Sequence, residues 1–415
     1  MNVSAAHLLP AADPTASMLG APQVRRVIVS LTAAFQEEQL RQGRMPRRAF
    51  IGSLAAGRPP EALDTLTIDE AGLGLDSLAV IDLVTRLNIF FDLQETGIED
   101  FLLVQRSLGE WVSLLVWHLS RVGDGARITF ETSGSTGAPK RVSHAAASLE
   151  SEVDALLAGA LRGMSTGARV LSAVPVHHIY GFLWSILLPF RAGWPALDLP
   201  PGAPGAAIRN ARPGDVVLGT PFTWDRIAAL DRTFLPGVTG VSSGGPATAS
   251  TWKACRETGL TRMVEVYGSS ETGGIGWRDD GTAPFRLMGD ICRQAGDLVR
   301  PAAGPLAMQD RLVWHGPAEF AVAGRLDAIV QVAGTNVDLR ALRDLIEAQP
   351  GVREAAVRLD GERLKAFVAT APRGRADLEN RLRQAMLALP APARPDRFSF
   401  GSEVPRTASG KLSDW

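Results

Sequence analysis

Cysteine is nearly absent: only Cys255 and Cys292 occur in 415 residues. Two thiols cannot build a disulfide framework, and the chain reads as one for a reducing, cytoplasmic compartment. A dominant charge is missing too, since 43 Lys and Arg face 44 Asp and Glu for a formal net charge of −1. No long-range field would draw such a chain to nucleic acid or to an anionic membrane, so binding must come from a local site. A clean spanning segment is also lacking. Residues 170–190 are free of Asp, Glu, Lys and Arg, but carry Pro175, His177 and His178 in their interior. A membrane helix would suffer most there, so the stretch reads as core and active-site wall. No Lys or Arg precedes Arg25, which does not fit a signal peptide, and residues 1–24 read as a flexible leader. Lysine itself is rare. Among the 43 basic residues only Lys140, Lys253, Lys365 and Lys411 are lysine, and a compact ammonium is not equivalent to a guanidinium beside a phosphate or carboxylate.

What is present is ordinary for a folded chain: 46% hydrophobic and 21% charged residues, long enough for two or three domains. Apolar residues at helical spacing predict an amphipathic helix over 25–41. Gly57, Pro59 and Pro60 loosen the next stretch. Asp76-Ser77 then opens a helix over 78–91, followed by a short one near 98–103 and a fourth over 107–119, which together predict a four-helix unit. Gly123-Asp124-Gly125 marks a boundary. From residue 126 β-branched runs alternate with helical stretches and Gly-rich turns, an α/β signature. A third block from about residue 324 has short strands and two helices, 339–348 and 376–389.

Thr132-Ser133-Gly134-Ser135-Thr136-Gly137-Ala138-Pro139-Lys140 follows a predicted strand. Glycines let backbone approach a polyphosphate, and hydroxyls with a lysine supply donors to its oxygens. The segment lacks the residue order of the common NTPase loop, and by composition alone could be a Ser/Gly surface turn. Three further segments follow in order: Tyr267-Gly268-Ser269-Ser270-Glu271-Thr272, Gly324-Arg325-Leu326-Asp327, and Pro405-Arg406-Thr407-Ala408-Ser409-Gly410-Lys411. The four together, over residues 128–415, resemble the acyl-adenylate-forming (AMP-binding) ligases: acyl-CoA synthetases, aryl-acid ligases and nonribosomal adenylation domains.

The resemblance implies roles by position. Lys140 with Thr132, Ser133, Ser135 and Thr136, on a loop containing Gly134 and Gly137, would hold the β- and γ-phosphates of ATP. Glu271 would bind Mg²⁺, a hard cation suited to carboxylate and phosphate oxygens. Gly244-Gly245-Pro246 and Tyr267-Gly268 would sandwich the adenine, with Ser270 also among the nucleotide-binding residues. Asp310 and Arg325 would hold the ribose, although Met308-Gln309 stand where Thr-Gly is usual. Asp327 would be the hinge, and Gly334 would line the pantetheine tunnel. Lys411 would lie between the attacking carboxylate and the α-phosphate, where a cation offsets their mutual repulsion. Val174-Pro175-Val176-His177-His178-Ile179-Tyr180-Gly181 resembles the substrate-pocket segment. His178 stands where amino-acid-activating members usually place an aspartate, which implies an acid without an α-amino group, aryl or aliphatic. Phe222, Ser242 and Gly244 are further candidates for that pocket. No Cys/His/Asp cluster with ligand spacing surrounds the two histidines, which argues against zinc.

Gly74-Leu75-Asp76-Ser77-Leu78 is, taken alone, a helix N-cap. At the start of the second helix of a four-helix unit it resembles an acyl carrier protein, whose serine carries 4′-phosphopantetheine. Phe90-Phe91 and Ser107-Leu108-Gly109-Glu110-Trp111 continue that likeness. The family's long segment before the phosphate loop is then missing or replaced. Gln331 stands where a lysine is common and Arg343 where a glutamate is frequent.

The expected architecture is multidomain: a leader at 1–24, a four-helix acyl-carrier-like bundle at 25–121, a shortened α/β large lobe at 122–326, and a small α+β lobe at 327–415. The expected activity is ATP- and Mg²⁺-dependent conversion of a carboxylic acid to acyl-AMP, then transfer to a phosphopantetheine thiol on Ser77. That reading brings in a phosphopantetheinyl transferase and a downstream synthase or tailoring enzyme of natural-product biosynthesis, with no nucleic acid and no membrane. Two alternatives stay open. One is a ligase for free coenzyme A or a separate carrier protein, with the N-terminal helices as a docking module. The other is a non-catalytic assembly protein with a degenerate adenylation fold.

Overall fold

The computed structural model describes residues 17–44, 50–55, 59–133, 139–200, 202–294, 297–325, 329–332, 335–361, 363–371, 375–406 and 412–415. The chain separates into two compact units, 1–306 and 307–415.

The first unit begins with helices. α1 (Ala21–Arg41) starts with Pro22 in its first turn and buries Val24, Val27, Ile28 and Phe35. On the same face Arg25 is buried and paired with Asp64 at 2.7 Å. A short α2 (Ile51–Ala55) follows. α3 (Ser77–Phe91) is capped by Asp76, whose carboxylate accepts from the Ala79 N–H at 2.8 Å. It stops at Asp92, which takes the left-handed conformation at φ 54°. α4 (Glu99–Val104) is short. α5 (Leu108–Val122) opens with a reciprocal capping box between Ser107 and Glu110. His118 of α5 is buried, bonding the Thr96 hydroxyl at 2.7 Å and the Phe91 carbonyl at 2.8 Å.

These helices lie close to where periodicity places them and pack on one another, but they are not a separate body. A carrier domain is an independent body with a closed core. Here α3 packs on the strand β1 (Arg127–Ser133). The Phe90 ring of α3 meets Phe130 of that strand at 5.5 Å and Phe182 at 6.0 Å. Arg26 of α1 bonds Asp198 at 2.9 Å and also the Ser185 carbonyl. The helical layer and the α/β part share one core and one compact unit.

β1 pairs antiparallel with β2 (Pro139–Ala145), bringing Thr132 opposite Lys140. α6 (Ala146–Ala158) leads to the parallel strand β3 (Val170–Ser172). After it come α7 (Ile179–Phe182), a π-turn at Leu183–Leu187 and α8 (Leu188–Ala192). Then follow β4 (Ala196–Asp198), α9 (Pro204–Asn210), β5 (Val216–Gly219) and α10 (Pro221–Ala228). β6 (Thr239–Ser242), α11 (Ala249–Glu257) and β7 (Arg262–Ser269) complete the alternation. β8 (Gly273–Arg278) and β9 (Phe285–Leu287) fold back antiparallel. Within this unit the sheet runs β9-β8-β7-β6-β5-β3-β4, with the last five strands parallel. β5 and β6 are buried at every position, as helices on both faces require of a central parallel strand. Trp224, Ile227, Phe234, Val238 and Trp252 fill the core against Leu171 and Val217. β10 (Cys292–Gln294), β11 (Asp297–Arg300) and β12 (Gly304–Pro305) form a small antiparallel sheet.

The second unit starts with the hairpin β13 (Asp310–Trp314) and β14 (Glu319–Arg325), then β15 (Ile329–Val332) and β16 (Thr335–Asp338). α12 (Leu339–Glu347) is capped by Asp338. β17 (Val352–Asp360), β18 (Arg363–Thr370), α13 (Arg375–Met386) and β19 (Arg397–Gly401) follow, with β18 central, antiparallel to β17 and parallel to β19. Leu342, Ile346, Leu364, Val368, Leu382 and Met386 form its core. Lys365 is buried there and donates to the Asp414 carboxylate at 2.9 Å and the Trp415 carbonyl at 3.1 Å. Among the described residues no helix is long and apolar enough to cross a membrane.

Candidate active site

In an open parallel sheet, ligands bind beyond the carboxyl ends of the strands, where successive loops converge. In the first unit those ends are followed by 173–178 after β3, 220 after β5, 243–248 after β6 and 270–272 after β7. All but the position at 220 carry a segment singled out in the sequence, and Phe222 lies just beyond it in α10.

After β3 the chain turns through Pro175, His177 and His178, and His178 precedes the first residue of α7. The turn closes so tightly that a Cβ on Gly181 would lie 2.1 Å from the Pro175 carbonyl oxygen, so only glycine fits. The two imidazoles are neighbours, with ring centroids 4.4 Å apart. Burial pushes the His177 pKa down to about 3, with His178 and Arg86 acting in the same direction, so His177 is neutral at ordinary pH. The Tyr180 hydroxyl donates to the carbonyls of Gly219 and Val241, 3.1 Å from each. Burial raises its pKa, so it remains a donor that ties α7 to the ends of β5 and β6. Ser242 is fully buried in β6, whereas Phe222 is only partly covered.

After β6, Gly244 adopts φ +83°, and Gly244, Gly245 and Pro246 are exposed. Ser243 donates to the Val266 carbonyl at 2.9 Å. Glu265 of β7 accepts from the Ala247 N–H at 2.8 Å and pairs with Arg278 at 2.7 Å. These bonds hold the Gly244–Pro246 segment beside Tyr267 and Gly268 on the adjacent strand. Gly268 is required where it stands, since its Cβ would meet the Gly273 carbonyl oxygen at 2.2 Å.

The turn from β7 to β8 carries Ser270 and Glu271. Ser269 and Thr272 brace it, the Ser269 N–H reaching the Thr272 hydroxyl at 3.2 Å and the Thr272 N–H the Ser269 hydroxyl at 3.3 Å. His144 of β2 bonds the Ser270 carbonyl at 2.7 Å, and burial lowers its pKa. Lys140 and Glu271, 131 residues apart, meet at 3.1 Å, so the predicted phosphate-binding ammonium and the predicted metal-binding carboxylate share one place. Among the described residues no group of three or more His, Cys, Asp or Glu could hold a metal by itself. A partly exposed carboxylate beside an ammonium suits Mg²⁺, which keeps few protein ligands and takes the rest from phosphate and water.

Beneath this turn is a network that sequence reasoning missed. Arg300 is buried and donates to the carbonyls of Thr272 at 2.7 Å and Gly274 at 2.6 Å, and to Asp290 at 2.6 Å. Glu152 of α6 lies 3.3 Å from the same guanidinium and accepts from the Gly274 N–H at 2.8 Å. Burial pushes the Glu152 carboxyl up to about 7, against the opposing pull of Arg300 and the Gly274 N–H. A Cβ on Gly273, at φ +68°, would be 2.3 Å from Glu152 Oε2. The Gly273-Gly274 pair was the one sequence signal of such a close approach.

In the second unit the β13–β14 register sets Asp310 directly opposite Arg325. Thr132 and Ser133 lie at the end of β1. Gly134, Ser135, Thr136, Gly137, Asp327, Gly334 and Lys411 lie outside the described residues. Ser77 is exposed at the first turn of α3, where the capping oxygen comes from Asp76.

Comparison with known proteins gives a consistent picture. Residues 124–296 match the family model for AMP-binding enzymes, and residues 344–411 match that for the AMP-binding enzyme C-terminal domain. The chain is 48% identical to a 4-coumarate–CoA ligase of Cereibacter sphaeroides, over 97% of this chain and 98% of that one. It is 42% identical to a 4-coumarate–CoA ligase of Rhodobacter capsulatus, over 94% of this chain and 100% of that one. Among solved structures, ATP-bound MatB from Rhodopseudomonas palustris superposes with a TM-score of 0.59 at 16% identity, covering 93% of this chain and 91% of that one. O-succinylbenzoate coenzyme A synthetase from Bacillus subtilis, in complex with AMP, gives a TM-score of 0.52 at 18% identity, covering 68% and 67%. These matches give no support to the expectations of a shortened lobe and an added carrier domain. The two curated relatives are matched almost end to end, helical segment included.

Proposed function

The chain belongs to the AMP-binding enzyme family, and from that premise we propose that it is an AMP-forming acid–thiol ligase that joins 4-coumarate, or a close aryl acid, to coenzyme A. The observation that carries this reading is the near end-to-end identity to proteins named 4-coumarate–CoA ligase. It favours the free-coenzyme A alternative over transfer to phosphopantetheine on Ser77. The carrier reading needed an independent helical body, and the helices instead share the core of the large unit.

A carboxylate is a poor acyl donor because its leaving group would be oxide. In the first half-reaction a carboxylate oxygen forms a bond to the α-phosphorus of ATP, and the bond from that phosphorus to the bridging oxygen breaks, releasing pyrophosphate. Lys140 would bind the leaving phosphates, while Gly244–Pro246 and Tyr267-Gly268 would flank the adenine. Glu271 would hold Mg²⁺, which supplies charge neutralisation on the phosphate oxygens. Lys411 would bridge the two approaching anions, Asp310 and Arg325 would hold the ribose, and Asp327 and Gly334 would serve the change to the second half-reaction. There the coenzyme A thiol loses its proton, sulfur bonds to the acyl carbon, and AMP leaves with the carbon–oxygen bonding pair. His178, on a wall without a carboxylate at that position, suits an acid lacking an α-ammonium.

The test is incubation of the full chain with ATP, Mg²⁺, coenzyme A and a panel of aryl and aliphatic acids, following AMP and thioester by mass. Stoichiometric AMP and 4-coumaroyl thioester, equal in Ser77→Ala, are expected. Thioester found only on a phosphopantetheinylated Ser77 would restore the carrier reading. No pyrophosphate from any acid would favour a non-catalytic role.

A further inference from the structure

The turn that carries His177 and His178 is held from outside the α/β sheet, by the N-terminal helices α1 and α3. The Ser30 hydroxyl of α1 lies 2.8 Å from His177 Nδ1, across 147 residues of sequence. One turn earlier on the same helix, Arg26 ties α1 to Asp198 at the end of β4 and to the Ser185 carbonyl in the π-turn after α7. The far end of α7 is held by α3, whose Phe90 ring packs on Phe182 at 6.0 Å. Both ends of the segment 177–182 therefore rest on N-terminal helices.

We propose that Ser30 is a positioning residue for the acid pocket: its hydroxyl fixes the His177 ring, and that ring, 4.4 Å from its neighbour, sets the orientation of His178. This rests on the reading of the 174–181 segment as the acid-binding wall. A neutral imidazole has one donor and one acceptor nitrogen, and a hydroxyl can serve either. Without the hydroxyl, the Nδ1 edge of His177 loses this partner and the ring can turn over. The His178 ring packed against it then loses a fixed neighbour on that side. Ser30 reaches no substrate itself in this account. It acts through His177, and what it controls is how well the pocket is preformed for the acid.

The test is Ser30→Ala and Ser30→Thr in the full chain, with KM measured separately for acid, ATP and coenzyme A. Acid binding without ATP is measured by calorimetry. Losing one such bond predicts a rise of roughly three- to tenfold in acid KM and in the calorimetric Kd for Ser30→Ala. The ATP and coenzyme A constants should stay within about twofold, with the acid constants recovered in Ser30→Thr. An unchanged acid constant in Ser30→Ala overturns the proposal. So does a parallel rise of all three constants with a lowered Tm, which would mark a merely structural contact. If Ser30→Ala does not fold, Ser30→Thr decides: wild-type acid constants support the proposal, and shifted ATP constants overturn it. Wild-type turnover with an unaltered Ser30→Ala sinks the inference and leaves the ligase reading standing. A wild-type chain that binds no aryl acid sinks both.

Discussion

Two ion pairs flank the turn between β7 and β8, and they are built in opposite ways. Above it, Lys140 and Glu271 meet at 3.1 Å with the lysine side chain 57% exposed and the glutamate 19%. Below it, Arg300 and Glu152 meet at 3.3 Å with 1% and 2% exposure. A pair as open as the first contributes at most about 1 kcal/mol, so incoming phosphate can displace it at little cost. A pair as closed as the second cannot be opened cheaply, because the guanidinium alone would be a buried charge. The turn is thus fixed from beneath and exchangeable above. The proposed triphosphate site needs charges that are held in place yet free to change partners.

The largest expected effect lies on the closed side. Arg300→Met leaves Glu152 and Asp290 buried with no guanidinium, so stability should fall by about 3–5 kcal/mol. Urea denaturation measures this, and an unchanged midpoint would erase the distinction between the two pairs. On the open side, Lys140→Ala should lower pyrophosphate release roughly 10²- to 10³-fold. Its unfolding free energy should stay within about 1 kcal/mol of wild type. A loss of stability larger than the loss of activity would reverse the assignment.

The comparison is sharpened by pH. The Glu152 carboxyl stands raised to about 7 in the folded chain, so over this range the folded state holds a proton that the unfolded state has released. Its stabilising contribution is full below the unfolded value near 4.5 and is lost as pH rises through about 7. Glu152→Gln should remove that slope, worth on the order of 3 kcal/mol between pH 4 and 8. Parallel stability–pH curves for wild type and variant would show that Glu152 stays ionised throughout. The smallest effect belongs to Ser77, which is exposed and does not cap its helix. Ser77→Ala should change stability by no more than about 0.5 kcal/mol, with thioester formation on free coenzyme A unaltered.

Much of the local structure was legible. The helix expected at 25–41 is observed at Ala21–Arg41, and that expected at 107–119 at Leu108–Val122. Helical periodicity and capping residues act within a few turns, so they can be read without knowing the fold. The proposed site was legible as short segments: Lys140 and Glu271, singled out separately in the sequence, meet at 3.1 Å in the fold.

What the helices pack against was not legible. The apolar face of α3 shows only that Phe90 is buried. Whether it is buried among helices, as in a carrier domain, or against Phe130 and Phe182, follows from the α/β sheet. The motif at Asp76-Ser77 could not separate the two readings, because an N-cap looks the same whether or not its neighbouring serine carries a prosthetic group.

By itself, then, the sequence determined the elements, the alternation that makes a parallel sheet, and the short segments that resemble a nucleotide site. The tertiary structure alone decided that the N-terminal helices belong to the large unit, that Ser30 meets His177 across 147 residues, and that Arg300 and Glu152 close the floor beneath Glu271. The physical reason is range. Propensity and capping are local in the chain, whereas burial and ion pairing depend on which distant surfaces the core brings together.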